Sequence, residues 1–243
     1  MPRLADTVEA LLRRATEDAR RRRHAAVGAE HLLRAAAMEE AGRSLLRALG
    51  VDVLALVNDL EAYLSEHAPR RRPWQFGLWS DRVLRRTLAR ALAHAQASEQ
   101  EVVHLGGLLA ALYDPALLAP GEQAPWAVQL LCLHGVSRLA LLHYIAHGIR
   151  PGTLPLPVAL GPGPQRVVLH NDAYTTMEFV VAIAERVLGH STEEAYELML
   201  QVHRQGRAVA GIYPAMEAQD RARRILHLAM EAGYPLLCTL EPA

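Results

Sequence analysis

The sequence predicts an α+β chain in two parts. An all-α domain of two repeats occupies residues 1–149, a Pro/Gly-rich linker residues 150–164, and a small βααβαβ α/β sandwich residues 165–243. Three observations predict this. Apolar residues recur at helical spacing from residue 4 to about 149. Residues 150–164 hold five prolines and three glycines. Beyond them, strand-like runs alternate with amphipathic helical patterns.

In the first part, Leu4, Val8, Leu11 and Leu12 share one helical face, as do Leu45, Leu46 and Leu49, and then Leu56, Leu60 and Leu64. Gly50 and Gly135 are the expected helix stops. The region also repeats itself. Gly50-Val-Asp-Val-Leu-Ala-Leu-Val aligns with Gly135-Val-Ser-Arg-Leu-Ala-Leu-Leu, and His31-Leu-Leu-Arg-Ala-Ala with Gly107-Leu-Leu-Ala-Ala-Leu. The offset grows from 76 to 85 residues, which places an insertion at Pro115–Pro125 and the inter-repeat connection at Pro69–Phe76. The linker is semi-rigid in its proline part and spans up to ~45 Å if extended.

The second part is expected to carry strands at Arg166–His170, Arg207–Tyr213 and Pro235–Leu240, with helices at about 176–188, 192–205 and 214–232. Thr175-x-x-Glu178 and Ser191-x-x-Glu194 fit the capping box, and Gly233 fits a left-handed helix terminator. This order predicts an antiparallel sheet covered on one face by helices.

Composition narrows the chemistry. Of 243 residues, 51% are hydrophobic and 21% charged, so the chain has ample material for packed cores. Formal net charge is zero, which argues against nucleic acid or an anionic membrane surface as partner. All 26 basic residues are Arg and none is Lys, which excludes a Walker A loop and Schiff-base chemistry. Cys132 and Cys238 form no metal-spaced pair. No signal peptide and no membrane-length apolar run is visible, and the expected location is the cytoplasm. His143 and His147, spaced i, i+4, are the best of a weak metal-ligand set, and no metal or other cofactor is expected. No nucleophile motif of the Gly-x-Ser-x-Gly type occurs, so an enzyme is not expected.

Chemistry concentrates in residues 166–203. A strand enters the polar turn Asn171-Asp172, and a helix follows that places Met177, Val180 and Val181 on one face. The next helix carries Met199, Val202 and His203 on one face. This puts hydrogen-bonding groups at the rim of an apolar surface, which fits binding a peptide end. Taken alone, each piece is as readily a core face, a satisfied histidine or an ordinary Asx turn.

These motifs resemble the ClpS family of N-degron adaptors: His-Asn-Asp-x-Tyr-Thr-x-Met-Glu-Phe-Val-Val, Ala-x-x-Leu-Met-Leu-x-Val-His-x-x-Gly-Arg-Ala-Val, Gly-Ile-Tyr and Pro-Leu-Leu-Cys-Thr-Leu-Glu-Pro. The first 150 residues are similar to the N-terminal domain of ClpA-type unfoldases, on Val27-Gly-Ala-Glu-His-Leu-Leu and the two segments that start at Gly50 and His134. The resemblance implies that Asn171, Asp172 and His203 hold an α-amino group. It implies an apolar pocket of Met177, Val180, Met199, Val202 and Leu236, with Thr175 at its rim. It implies docking on an unfoldase through the face that bears Met216 and Arg221. Ala173 stands where most of the family carries Asp, Thr176 where Pro is usual, and Met216 where better-known members have Glu. The implied partners are a ClpA-type AAA+ unfoldase with its ClpP peptidase and proteins with a bulky hydrophobic first residue. Docking of the two domains on one another is a further expectation. The alternative is a regulator or decoy that sequesters adaptor, substrate or docking sites. A hydrolase or metal-dependent enzyme is the third reading.

Overall fold

The computed structural model describes residues 2–72, 77–117, 122–159 and 161–243, with the side chain of residue 115 left aside. Parts of the expected connection at Pro69–Phe76 and of the insertion at Pro115–Pro125 lie outside the described residues. The chain divides into two compact units, Met1–Leu141 and Leu142–Ala243. Among the described residues no single helix is long and apolar enough to cross a membrane.

In the first unit α1 (Asp6–Arg21), α2 (Ala29–Met38), α3 (Glu40–Ala48) and α4 (Val53–Glu66) form one repeat. In the second repeat, α5 (Arg82–Ala97) and α6 (Leu105–Leu112) start 76 residues after α1 and α2. The start of α8 (Arg138–His147) follows that of α4 by 85, after α7 (Trp126–Leu133). Asp52 caps α4 by accepting the Leu54 and Ala55 amides (3.0 and 3.1 Å), and Asp81 caps α5 by accepting the Leu84 amide (2.7 Å). Gly50 and Gly135 sit at φ 84° and 82°, the left-handed region that ends a helix.

The all-helical expectation needs one correction. Among the described residues four two-residue strands are present: β1 (Arg3–Leu4), β2 (Ala26–Val27), β3 (Trp79–Ser80) and β4 (Val102–Val103). Leu4 therefore lies in a strand and not on the face of α1. β1 pairs in parallel with β4, and β2 with β3, so each repeat's first strand pairs with the other repeat's second strand. Arg3 is 76 residues before Trp79, and Ala26 is 76 before Val102, so the two pairings are related by the repeat. Two residues are too few for the alternation that marks a strand in sequence.

The repeats differ inside. Repeat one buries Asp18, which takes the guanidinium of Arg22 at 2.9 Å, while Arg22 and Arg34 both reach Glu61. His24 and His31, also buried, are joined at 2.8 Å. The positions 76 residues on are His94, Ser98, Ala110, Gln100 and Gly107. Those positions do not repeat the acid–arginine and histidine pairs of repeat one.

The second unit contains β5 (Gln165–His170), α9 (Met177–Ile183), α10 (Thr192–Gln205), β6 (Arg207–Tyr213), α11 (Ala215–Ala232) and β7 (Leu237–Pro242). The sheet order is β6-β5-β7, antiparallel throughout. Val167 and Leu169 point from the central strand into one cluster with Ile183, Leu198, Ile225 and Leu226. Ser191 and Glu194 form the expected capping box, with the Ser191 amide donating to Glu194 at 2.8 Å. Gly233 ends α11 at φ 72°. The last strand begins two residues later than expected, because Pro235 has no amide proton and Leu236 turns into the core.

A π-helical turn, Ala184–Leu188, extends α9. Its final carbonyls find partners from β6 and α11. The Tyr213 hydroxyl donates to the Leu188 carbonyl (3.1 Å), and Arg221 donates to the Val187 carbonyl. The Arg221 guanidinium also lies 4.4 Å from the centre of the Tyr213 ring. Gly211 makes room for that ring: a Cβ there would stand 2.5 Å from the ring and its hydroxyl.

Candidate functional site

The turn after β5 is built by Asp172. Its Oδ1 accepts the Tyr174 and Thr175 amides, both at 2.7 Å, and its Oδ2 accepts the Thr175 hydroxyl at 2.7 Å. Both carboxylate oxygens therefore fix the loop, an Asx turn closed by the threonine. Thr175 is engaged in this turn, so it does not cap the helix as its spacing predicts. The cap is Thr176, whose hydroxyl accepts the Phe179 amide at 3.3 Å, and α9 starts at Met177. Thr176, where the resemblance implies Pro, thus caps the helix with its own hydroxyl.

The end of β5 is stitched to the end of α10. The Asn171 amide donates to the carbonyl of Gly206 (2.8 Å), the residue that terminates α10 at φ 79°. His203 lies one turn before that terminus, so this bond brings the Asn171 and His203 ends of the two elements together. Asn171 is exposed and His203 half-buried. Neither side chain has a hydrogen-bond partner among the described residues.

Below this rim, Val180, Met199, Val202 and Leu236 are buried members of one hydrophobic cluster, at 6%, 4%, 2% and 1% exposure. Met177, on the first turn of α9, is 45% exposed and stands apart from them at the surface. The structure thus gathers the four buried apolar residues in one core, and leaves Met177, Thr175, Asn171 and His203 at its boundary. Phe179 and Tyr234 meet with ring centres 4.9 Å apart and tie α9 to the segment before Leu236.

Two histidines outside the expected set border this region. His170, the last residue of β5, bonds the Thr239 hydroxyl at 2.8 Å, and burial, then the charges of Arg207 and His147, lower its pKa. His147 donates Nε2–H to the Pro235 carbonyl at 2.9 Å. Their sequence signal is weak, since a lone histidine before a turn and an i, i+4 pair on a helix have many uses. Burial raises the thiol pKa of Cys238 to about 12, which leaves it an inert core residue.

Of the two residues expected on the docking face, Met216 is 73% exposed at the start of α11. Arg221 is occupied within its own unit: besides Val187 and Tyr213 it bonds Glu217 at 2.7 and 2.9 Å. These contacts give Arg221 a role within the fold beside the docking role that the resemblance implies.

Residues 161–239 match the family model of the ATP-dependent Clp protease adaptor protein ClpS, and residues 3–117 that of the Clp repeat (R) N-terminal domain. The ATP-dependent Clp protease adapter protein ClpS of Desulfatibacillum aliphaticivorans is 47% identical over 77 residues, 32% of this chain and 74% of the relative. That of Desulforapulum autotrophicum is 49% identical over 80 residues, 33% of this chain and 77% of the relative. The structure of Agrobacterium tumefaciens ClpS2 bound to L-phenylalaninamide aligns at 35% identity and a TM-score of 0.33, over 34% of this chain and all of that one. The chain belongs to the ClpS family of Clp protease adaptors, with a Clp repeat N-terminal domain preceding the adaptor domain.

Proposed function

We propose that the chain is a non-enzymatic, cytoplasmic adaptor that binds proteins by a bulky hydrophobic N-terminal residue and directs them to a ClpA-type unfoldase and its ClpP peptidase. The observation that carries this reading is the placement of Asn171 and His203. Both present side chains without partners among the described residues, at the rim of a buried apolar cluster, where the Asn171–Gly206 bond holds their elements together. A peptide's terminal amine is largely protonated at neutral pH and calls for acceptors, which an Asn oxygen and a neutral imidazole nitrogen supply. Burial of a Leu- or Phe-sized first side chain against Val180, Met199, Val202 and Leu236 contributes roughly 1.5–3 kcal/mol. With two charge-assisted hydrogen bonds and the cost of ordering, the expected Kd is roughly micromolar.

Three parts follow in this reading: an N-terminal Clp repeat domain over 1–149, a linker over 150–164 and the adaptor domain over 165–243. Asp172 and Thr175 shape the amine site by holding its turn, and Met177 guards its entrance. The test is fluorescence anisotropy with peptides that begin Leu, Phe or Trp, against Val-initial and N-acetylated controls. Free Leu peptide is expected to bind and its acetylated form not to; His203→Ala is expected to weaken binding about tenfold or more. Equal binding of acetylated and free peptides overturns the reading. Degradation of an N-terminal Leu reporter by a ClpAP-type protease, faster with the chain present, separates delivery from sequestration.

A further inference from the structure

The second unit begins at Leu142, inside α8, and so includes the last turn of that helix and its two histidines. The Nε2–H of His147 reaches the Pro235 carbonyl. Burial and then the charge of His147 lower the pKa of His143, while the Asp172 carboxylate acts on it in the opposite sense. This turn therefore touches the candidate pocket at the segment leading to Leu236.

That segment depends on outside support. Tyr234–Leu236 joins the cap of α11 to β7 and lies in no regular element. Its first amide is taken by the Ala229 carbonyl of α11 (2.9 Å), and Pro235 has no amide to offer. The Pro235 carbonyl is fastened by His147. On either side of it, Tyr234 packs on Phe179 of α9 and Leu236 enters the core at 1% exposure. Further along, the Ala159 amide donates to the Gln219 side chain (3.1 Å), and Ala159 packs on the same core. The chain between His147 and Ala159 is thus anchored to the second unit at both ends.

On the basis of the proposed N-terminal-residue pocket, we infer that His147 is a positioning residue for it. Its hydrogen bond sets where Leu236 stands relative to α9, and so which first side chains fit. His147 lies ahead of the family-matched residues, so this support is contributed by the segment that precedes the adaptor domain.

The experiment uses the full chain with His147→Ala, His147→Gln and His147→Phe, read by methyl NMR of Leu236 and by anisotropy with Leu- and Val-initial peptides. His147→Ala is expected to shift the Leu236 methyl resonances and to change Leu-over-Val discrimination about three- to tenfold. Gln, which keeps an N–H donor, is expected to restore both. Phe, which keeps bulk without a donor, is expected to behave as Ala and decides the matter if Ala does not fold. Unchanged Leu236 resonances without the donor overturn the inference. If wild-type chain fails to distinguish free from acetylated peptide, the function reading fails, and the Leu236 resonances still decide whether His147 holds that wall.

Discussion

The Asp172 carboxylate accepts the Thr175 hydroxyl at 2.7 Å while its other oxygen accepts two backbone amides. This carboxylate is therefore engaged in shaping the loop beside the proposed amine site. The next position, where the resemblance to ClpS implies a second acid, is Ala173.

Restoring that acid should tighten binding. Ala173→Asp adds a carboxylate within the Asp172 turn, next to the proposed amine site, and leaves the Asp172 side chain in place. Anisotropy with a Leu-initial peptide is expected to show affinity raised about three- to tenfold at low ionic strength, with much of the gain lost at about 0.5 M salt. The N-acetylated peptide, which carries no charge at that point, should not respond. An unchanged or weaker affinity for the free amine would show that position 173 does not face it.

Arg221 offers a test on stability. It is stacked on Tyr213, paired with Glu217 and bonded to the Val187 carbonyl, so its removal frees the end of the π-helical turn. Arg221→Ala is expected to destabilise the second unit by about 1–3 kcal/mol, and Gly211→Ala, which pushes on the Tyr213 ring, by a similar amount. Far-UV circular dichroism in urea and amide exchange at Val187–Gly189 measure both. If Arg221→Ala leaves stability intact and instead abolishes unfoldase binding, the residue faces a partner after all.

Sequence pattern captured what depends on local chemistry. The Ser191–Glu194 capping box, the left-handed glycines at 50, 135 and 233, and all three strands of the second unit's sheet follow from residue type and period. What it missed depends on partners distant along the chain. β1 and β4 exist only because the two repeats pair across each other. Thr175 and Thr176 are both sound caps, and the choice between them was made by Asp172. Arg221 and His147 each look like a surface residue until the carbonyl that each one bonds is placed.

The His24–His31 pair predicts acid sensitivity of the first unit. The Gly28 amide can only donate, so His31 Nδ1 accepts it (3.1 Å) and Nε2 carries the proton given to His24 Nδ1 (2.8 Å). Both rings are neutral in this arrangement. Burial, then the charge of His24, lowers the His31 pKa to about 4, and burial, then Arg22, lowers that of His24. A folded pKa below the ordinary 6.5 means that the unfolded chain takes up protons first. The contribution to stability is complete above about pH 6.5 and is lost as pH falls towards about 4. For His31 alone the loss is about 3 kcal/mol at the bottom of that window. Glu30 and Asp81, whose pKa values burial raises, act in the opposite sense and offset part of it. Trp79 and Trp126 lie in the first unit and the sequence has no tryptophan beyond residue 126, so tryptophan fluorescence isolates that unit's unfolding. The urea midpoint of the wild-type chain should fall between about pH 7 and 4.5, and His31→Gln, which still accepts from Gly28 and does not titrate, should flatten the dependence. A wild-type midpoint that holds steady across that range would remove the pair as the acid-sensitive element.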